Sequence, residues 1–198
     1  LSIIPVIDLF AGPGGLGEGF STVTHYDNRV FDIKLSIEMD ENAHKTLELR
    51  SFYRQFKKGN APEEYYVVLR ETNLVMREKL KQELFEKYPV QYSKAHNEAW
   101  LAELGSKQTP SHEVDERISS SLNGRKDWLL IGGPPCQAYS LAGRSRVGGI
   151  NSEDKRVYLY QEYLRIISAH HPAVFVMENV KGLLSAKIED EKVFDWML

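Results

Sequence analysis

Cys136 is the chain's only cysteine, and it stands in Gly133-Pro134-Pro135-Cys136-Gln137, directly after the apolar run Trp128-Leu129-Leu130-Ile131. A short, continuous apolar run reads as a strand buried on both faces of a parallel sheet, and such sheets present ligands at the carboxyl ends of their strands. A thiol on a stiff Pro-Pro turn at that edge is placed as a nucleophile. Most free cysteines are instead small buried hydrophobes, so the neighbouring motifs have to decide between the two readings. Glu178 follows another apolar run, residues 173–177, in Met177-Glu178-Asn179-Val180-Lys181-Gly182, and so belongs to the same edge. An acid just past a strand is commonly a helix cap or a solvated turn. Beside a soft thiolate it suits addition to an electron-poor ring, with sulfur attacking carbon while the acid protonates a ring nitrogen.

A third motif, Gly12-Pro13-Gly14-Gly15-Leu16-Gly17, satisfies GxGxxG between an apolar run and a helix start, and Glu38 follows at the distance expected of a dinucleotide fold. Glycines let backbone approach a ligand, and the Glu38 carboxylate can accept both hydroxyls of a ribose. NAD and S-adenosylmethionine both present such a ribose, so the loop alone does not name the cofactor. No GK[ST] ending follows, which disfavours a P-loop nucleotide triphosphatase.

These groups need a scaffold, and 198 residues, 42% of them hydrophobic, suffice for one substantial core. A single cysteine forms no internal bridge and anchors no tetrahedral metal set, and no metal site is expected. The reading is a protein of a reducing cytoplasm or nucleus, and a soluble one, because no apolar stretch approaches the roughly 20 residues needed to span a bilayer. The net charge of −3 gives no whole-chain basic footprint, so an anionic partner must be met by a local patch.

The element order expected is strand over residues 3–10, loop, helix, strand over 34–38, and helix over 42–50, the signature of a parallel α/β sheet. Pro5 lacks a ladder donor and is placed at the first strand's start or just before it. From about 53 to 126 the sequence turns charged and helix-forming. Met76, Leu80, Leu84 and Tyr88 make one apolar stripe, and Ala95, Ala99, Trp100 and Leu104 suggest another. This reads as a helical insertion. Residues 142–154, rich in Gly, Ser and Arg, read as a mobile loop. A helix over 157–169 and the strand over 173–177 follow.

Asp8-Leu9-Phe10-Ala11-Gly12-Pro13-Gly14-Gly15, Gly133-Pro134-Pro135-Cys136-Gln137-Ala138-Tyr139-Ser140 and Glu178-Asn179-Val180, in this order, resemble the cytosine-C5 DNA methyltransferases. Asp154-Lys155-Arg156 with Leu159 also looks like the family segment between the last two motifs. The resemblance implies a Rossmann-like S-adenosylmethionine-dependent methyltransferase fold, a mostly parallel sheet with helices on both faces. It implies S-adenosylmethionine held by Phe10, Gly12, Gly14, Gly15 and Leu16, with Glu38 on the ribose, Met39 against the adenine, and Pro135 and Leu159 nearby. Cys136 then adds to C6 of a cytosine while Glu178 protonates N3. Gln137, Ser140, Arg144 and Asn179 fall on the substrate side, with Arg146, Lys155 and Arg156 as further phosphate contacts. Such an enzyme rotates its base out of the DNA duplex, and a restriction endonuclease of the same system is the further partner implied.

The sequence departs from the family pattern in two places. The acidic residue that follows the family's third strand and touches the adenine amino group has no clean counterpart before Asp127; Asp115 is a weak one, and the position stays unassigned. The later arginine motif and the target recognition domain have no counterpart up to Leu198. The expectation is therefore a partial catalytic domain, the cofactor and nucleophile half, weakly active by itself. Two rivals remain. A tRNA cytosine-C5 methyltransferase would use the same chemistry, although Ala138-Tyr139-Ser140 looks more like the bacterial DNA enzymes. An NAD-dependent oxidoreductase would leave the Pro-Cys-Gln and Glu-Asn-Val motifs unexplained.

Overall fold

The computed structural model describes residues 2–57, 59–134 and 159–178, together with the backbone of 187–188 and 191–192. Its centre is a parallel sheet of five strands, β1 (Ile4–Leu9), β4 (Phe31–Glu38), β5 (Ala99–Leu101), β6 (Leu129–Gly132) and β7 (Val174–Met177), in the order β5-β4-β1-β6-β7. Read in order of their appearance these strands are 3-2-1-4-5, the doubly wound arrangement that reverses direction between β1 and β6. There are also two small antiparallel pairs, β2 (Thr24–His25) with β3 (Asn28–Arg29) and β8 (Lys187–Ile188) with β9 (Glu191–Lys192).

Successive residues of a strand face opposite ways, and β1 is apolar on both sides because both are covered. Ile7 and Leu9, with Leu35, Ile37 and Leu130, pack against α6 (Ser111–Leu122) through Val114 and Ile118 and against α7 (Leu159–His170) through Tyr163 and Ile166. Val6, with Ile33, Leu129 and Ile131, packs on the other side against Leu16 and Phe20 of α1 (Gly15–Ser21). The buried Tyr163 hydroxyl donates to Val176 O at 3.0 Å, fastening α7 beneath the outer strand. A satellite core joins α2 (Glu41–Arg54), α3 (Glu63–Arg70), α4 (Leu74–Lys87) and α5 (Pro89–Glu98) through Leu49, Phe52, Tyr65, Val68, Leu84 and Ala95.

The structure corrects four sequence expectations. Pro5 is the second residue of β1 and pairs with Asp32. It is tolerated there because Ile4 N–H donates toward the β4 side, to Val30 O at 2.8 Å, so the nitrogen of Pro5 turns to the other flank, where pairing with β6 begins only at Val6. Ala95, Ala99, Trp100 and Leu104 do not share a helix face, because the helix stops at Glu98 and Ala99–Leu101 pairs with Ser36–Glu38 as β5. The β4 strand starts at Phe31, three residues before the expected position, and α2 runs four residues longer, to Arg54. The stretch 53–126 contains α3, α4, α5, α6 and the sheet strand β5. No helix among the described residues is long and apolar enough to cross a membrane.

Candidate active site

A cleft of about 410 Å³ opens at the carboxyl edge of the sheet, where β1 and β6 diverge, lined by Asp8, Phe10, Ala11, Gly15, Leu16, Gly133 and Glu178. It lies at the topological switch point, where helices depart to opposite faces and leave a crevice. Two glycines at the end of β6 shape it. At Gly132 a side chain would start 2.2 Å from Leu9 O, so close backbone approach of β1 and β6 requires glycine there. At Gly133 a side chain would start 2.7 Å from Glu178 Oε2. Its absence lets the carboxylate lie across the end of β6, and Glu178 N–H donates to Gly132 O at 2.8 Å, which fixes the residue's backbone there.

The opposite wall is the loop after β1. Ala11 N–H continues the sheet by donating to Ile37 O, and Gly14 N–H closes a turn onto Ala11 O, both at 2.9 Å. Gly14 caps α1 with φ of 84°, a conformation costly for other residues, and a side chain there would start 2.8 Å from Leu47 Cδ1. Its place is thus a packing position under α2. Gly15 has open space where a side chain would begin, as does Gly12.

Glu38 fastens this loop. Its Oε2 accepts Gly12 N–H and its Oε1 accepts Asp40 N–H, each at 2.7 Å, while its carbonyl takes Ala102 N–H at 2.9 Å. One residue therefore ties the glycine loop, the entry to α2 and the exit from β5. Each carboxylate oxygen accepts one of these bonds and retains capacity for another. Met39, beside it, is exposed, and Leu159 at the start of α7 packs near Gly105 in the loop after β5.

Of the sequence-predicted residues, the structure gathers Phe10, Gly15, Leu16 and Glu178 around the cleft and sets Gly12, Gly14, Glu38, Met39 and Leu159 outside its lining. Cys136, Pro135, Gln137, Ser140, Arg144, Arg146, Lys155, Arg156 and Asn179 lie outside the described residues. Asp115, the weak candidate for the adenine contact, sits on α6 and does not directly follow the third strand, β5. It receives a forked bond from Arg165 at 2.9 and 3.0 Å and contacts His170 Nε2 at 2.9 Å. Partial burial opposes ionisation of Asp115, yet these partners hold its carboxyl below the usual carboxylate range. The carboxylate that does follow the sheet's third strand is Glu103, exposed two residues after β5. A three-residue strand inside a helical stretch concealed it.

Asp8 is the residue that motif reading undervalued. Fully buried on the α1 face of β1, it has no hydrogen bond of full geometry to either carboxyl oxygen, and Gly17 leaves room for it, since a side chain there would start 2.8 Å from Asp8 Oδ2. Burial pushes its carboxyl up to about 7; the Arg54 guanidinium and the Gly17 N–H oppose this, while Glu98 and Glu38 add to it. A charged residue interrupting an otherwise apolar strand was the available signal.

Residues 81–198, which include Cys136 and Glu178, match the C-5 cytosine-specific DNA methylase family. The type II methyltransferase M.Bpa9945I of Bacillus paralicheniformis is 38% identical over 191 residues, covering 92% of this chain and 42% of that protein. The putative type II methyltransferase M.MjaORF1200P of Methanocaldococcus jannaschii is 28% identical over 200 residues, 91% of this chain and 49% of its own. The type II methyltransferase M.AquIA of Picosynechococcus is 51% identical over 57 residues, 29% of this chain and 21% of its own. The chain thus spans less than half the length of these relatives. With a parallel α/β sheet, a glycine loop at its switch point and a matched segment that contains Cys136 and Glu178, the chain belongs to the C-5 cytosine-specific DNA methylase family.

Proposed function

We propose that this chain carries the methyl-donor seat and the reactive pair of an enzyme that methylates C5 of cytosine in DNA. The observation that carries the reading is the shared cleft: the glycine loop forms one wall, Glu178 the other, and β6, the strand that leads toward Cys136, ends between them. S-adenosylmethionine, when bound, supplies the methyl group. The residues fit such a ligand, since Gly15 leaves open space, Phe10 and Leu16 offer apolar surface, and Glu38 keeps acceptor capacity for a ribose diol beside the exposed Met39.

In this reading the Cys136 thiolate forms a bond to C6 of a cytosine rotated out of the duplex. Glu178 protonates N3, which draws the displaced electron pair into the ring and makes C5 nucleophilic. Once C5 carries the methyl group, loss of its proton to a base expels the Cys136 thiolate, N3 gives back the proton it received, and the aromatic ring is restored. Glu178 is suited to the role because its backbone is anchored at Gly132 and no side chain at residue 133 obstructs its carboxylate. DNA is the substrate supported by the family match, in preference to tRNA.

Isothermal calorimetry of the 198-residue chain tests the donor seat. S-adenosylhomocysteine is expected to bind and NAD to give no heat. Tight NAD binding with no response to S-adenosylhomocysteine would overturn the reading in favour of an oxidoreductase.

A further inference from the structure

We infer that the groove between the amino-terminal halves of α2 and α4 is a second docking surface for duplex DNA, one that holds the phosphate backbone outside the cleft. The inference rests on the proposed action on DNA but on different residues. The groove encloses about 750 Å³, and its walls carry Lys45 from α2 and Arg77, Lys79 and Lys81 from α4, against the single carboxylate of Glu78. In a chain of net charge −3 this is a marked local reversal of sign.

The pairing pattern leaves the charge available. Lys81 uses Glu78 at 2.8 Å, and Lys79 meets Glu83 only at 3.8 Å across exposed side chains, a contact of little strength in water. Lys45 and Arg77 enter no ion pair among the described residues. Beside these cations stand Asn42 and Thr46, and this mixture of cations with short uncharged donors is the set that contacts phosphate and sugar oxygens.

The position fits as well. The α2 helix begins at Glu41, three residues after Glu38 at the carboxyl end of β4, so Asn42 and Lys45 stand on the same edge of the sheet as the cleft. The apolar stripe of α4 is buried at Leu84, while Leu74 and Val75 at the start of the helix are exposed and line the groove. An acidic peptide is the other occupant that such a groove could admit. The uncharged donors beside unpaired cations favour DNA.

The test is the salt dependence of binding to a short duplex of arbitrary sequence, measured by fluorescence anisotropy between 50 and 200 mM salt with the 198-residue chain. Each phosphate contact contributes a slope of about 0.9 in log K against log salt, so Lys45→Gln with Arg77→Gln is expected to reduce the slope by about 1.8. A control pair outside the groove, Lys34→Gln with Lys126→Gln, leaves it within about 0.5 of the parent on the same scale. An unchanged slope in the groove variant overturns the inference. So does an equal fall in the control, or binding of polyglutamate that is lost on the groove substitutions while the DNA slope stays constant. Calorimetry with S-adenosylhomocysteine separates this from the donor-seat reading: its binding is expected to survive the groove substitutions, and a chain that never binds it would sink that reading while leaving a changed DNA slope in place.

Discussion

Glu178→Gln is expected to lower the rate of methyl transfer by the natural gene product by 10²- to 10⁴-fold, the usual contribution of a positioned acid. Glutamine has nearly the same shape and can still hydrogen-bond, so the substitution tests proton donation rather than packing. The backbone anchor from residue 178 N–H to Gly132 O is indifferent to the side chain, and glycine at 133 leaves the same space for an amide as for a carboxylate. Binding of S-adenosylhomocysteine is therefore expected to be unchanged, because the glycine loop forms the other wall. Single-turnover transfer of a tritiated methyl group measures the chemical step directly. A loss smaller than threefold would show that another group protonates the ring. A parallel loss of donor binding would show that the substitution had disturbed the cleft itself.

Asp8 makes the stability of the fold depend on pH in an unusual direction. Its carboxyl is raised from an ordinary 3.8 to about 7, so between these values the folded chain holds a proton that the unfolded chain has released. Stability from this group is fully present below about pH 4 and is lost as pH rises through 7. At about 1.4 kcal/mol per pH unit the full effect is on the order of 4 kcal/mol, more than half of it between pH 5 and 8. Arg54, Glu98 and Glu38 are the charged groups that act on Asp8, and the buried Glu98 is raised as well, so the parent's slope is shared. The difference between parent and Asp8→Asn isolates one contribution. Urea unfolding is expected to show Asp8→Asn gaining on the parent by roughly 2 to 3 kcal/mol from pH 5 to pH 8. A constant difference across that range would mean that Asp8 ionises normally, with water or a closer partner serving its oxygens.

Much of the scaffold was legible because a parallel sheet buried on both faces leaves an unmistakable trace. The strands β1 and β6 are short apolar runs buried on both faces, β7 is an apolar run at the more exposed edge of the sheet, and the motifs follow all three directly, so the residues at the carboxyl edge could be named before their geometry was known. What escaped notice were elements too short to carry periodicity. The β5 strand has three residues, and Ala99-Trp100-Leu101 fits a helix face as readily as an edge strand. The β2–β3 hairpin turns through Tyr26 and Asp27, both at positive φ (47° and 61°), where glycine or asparagine is the usual marker. The sequence reading gave Glu38 and Gly14 ligand roles and missed the structural ones that the fold shows. Glu38 was expected as a ribose acceptor, and its spacing from the loop gave no sign that it also fastens Gly12 and Asp40. Gly14 was expected at the ligand and lies under Leu47, because a glycine needed for packing and one needed for binding look alike in a string of letters. The roles of Gly132 and Gly133 depend on strands that meet only in three dimensions.

The account depends most on a sulfur and a carboxylic acid serving one cleft next to the donor seat, and covalent capture tests it most directly. A duplex bearing 5-fluorocytosine cannot lose the C5 substituent as a proton, so the bond from sulfur to C6 cannot be undone after methyl transfer. Denaturing electrophoresis of the natural gene product with S-adenosylmethionine and this duplex is expected to show a stable protein–DNA adduct, absent in Cys136→Ser. An adduct that persists in Cys136→Ser would contradict the account, because the nucleophile would then be another residue.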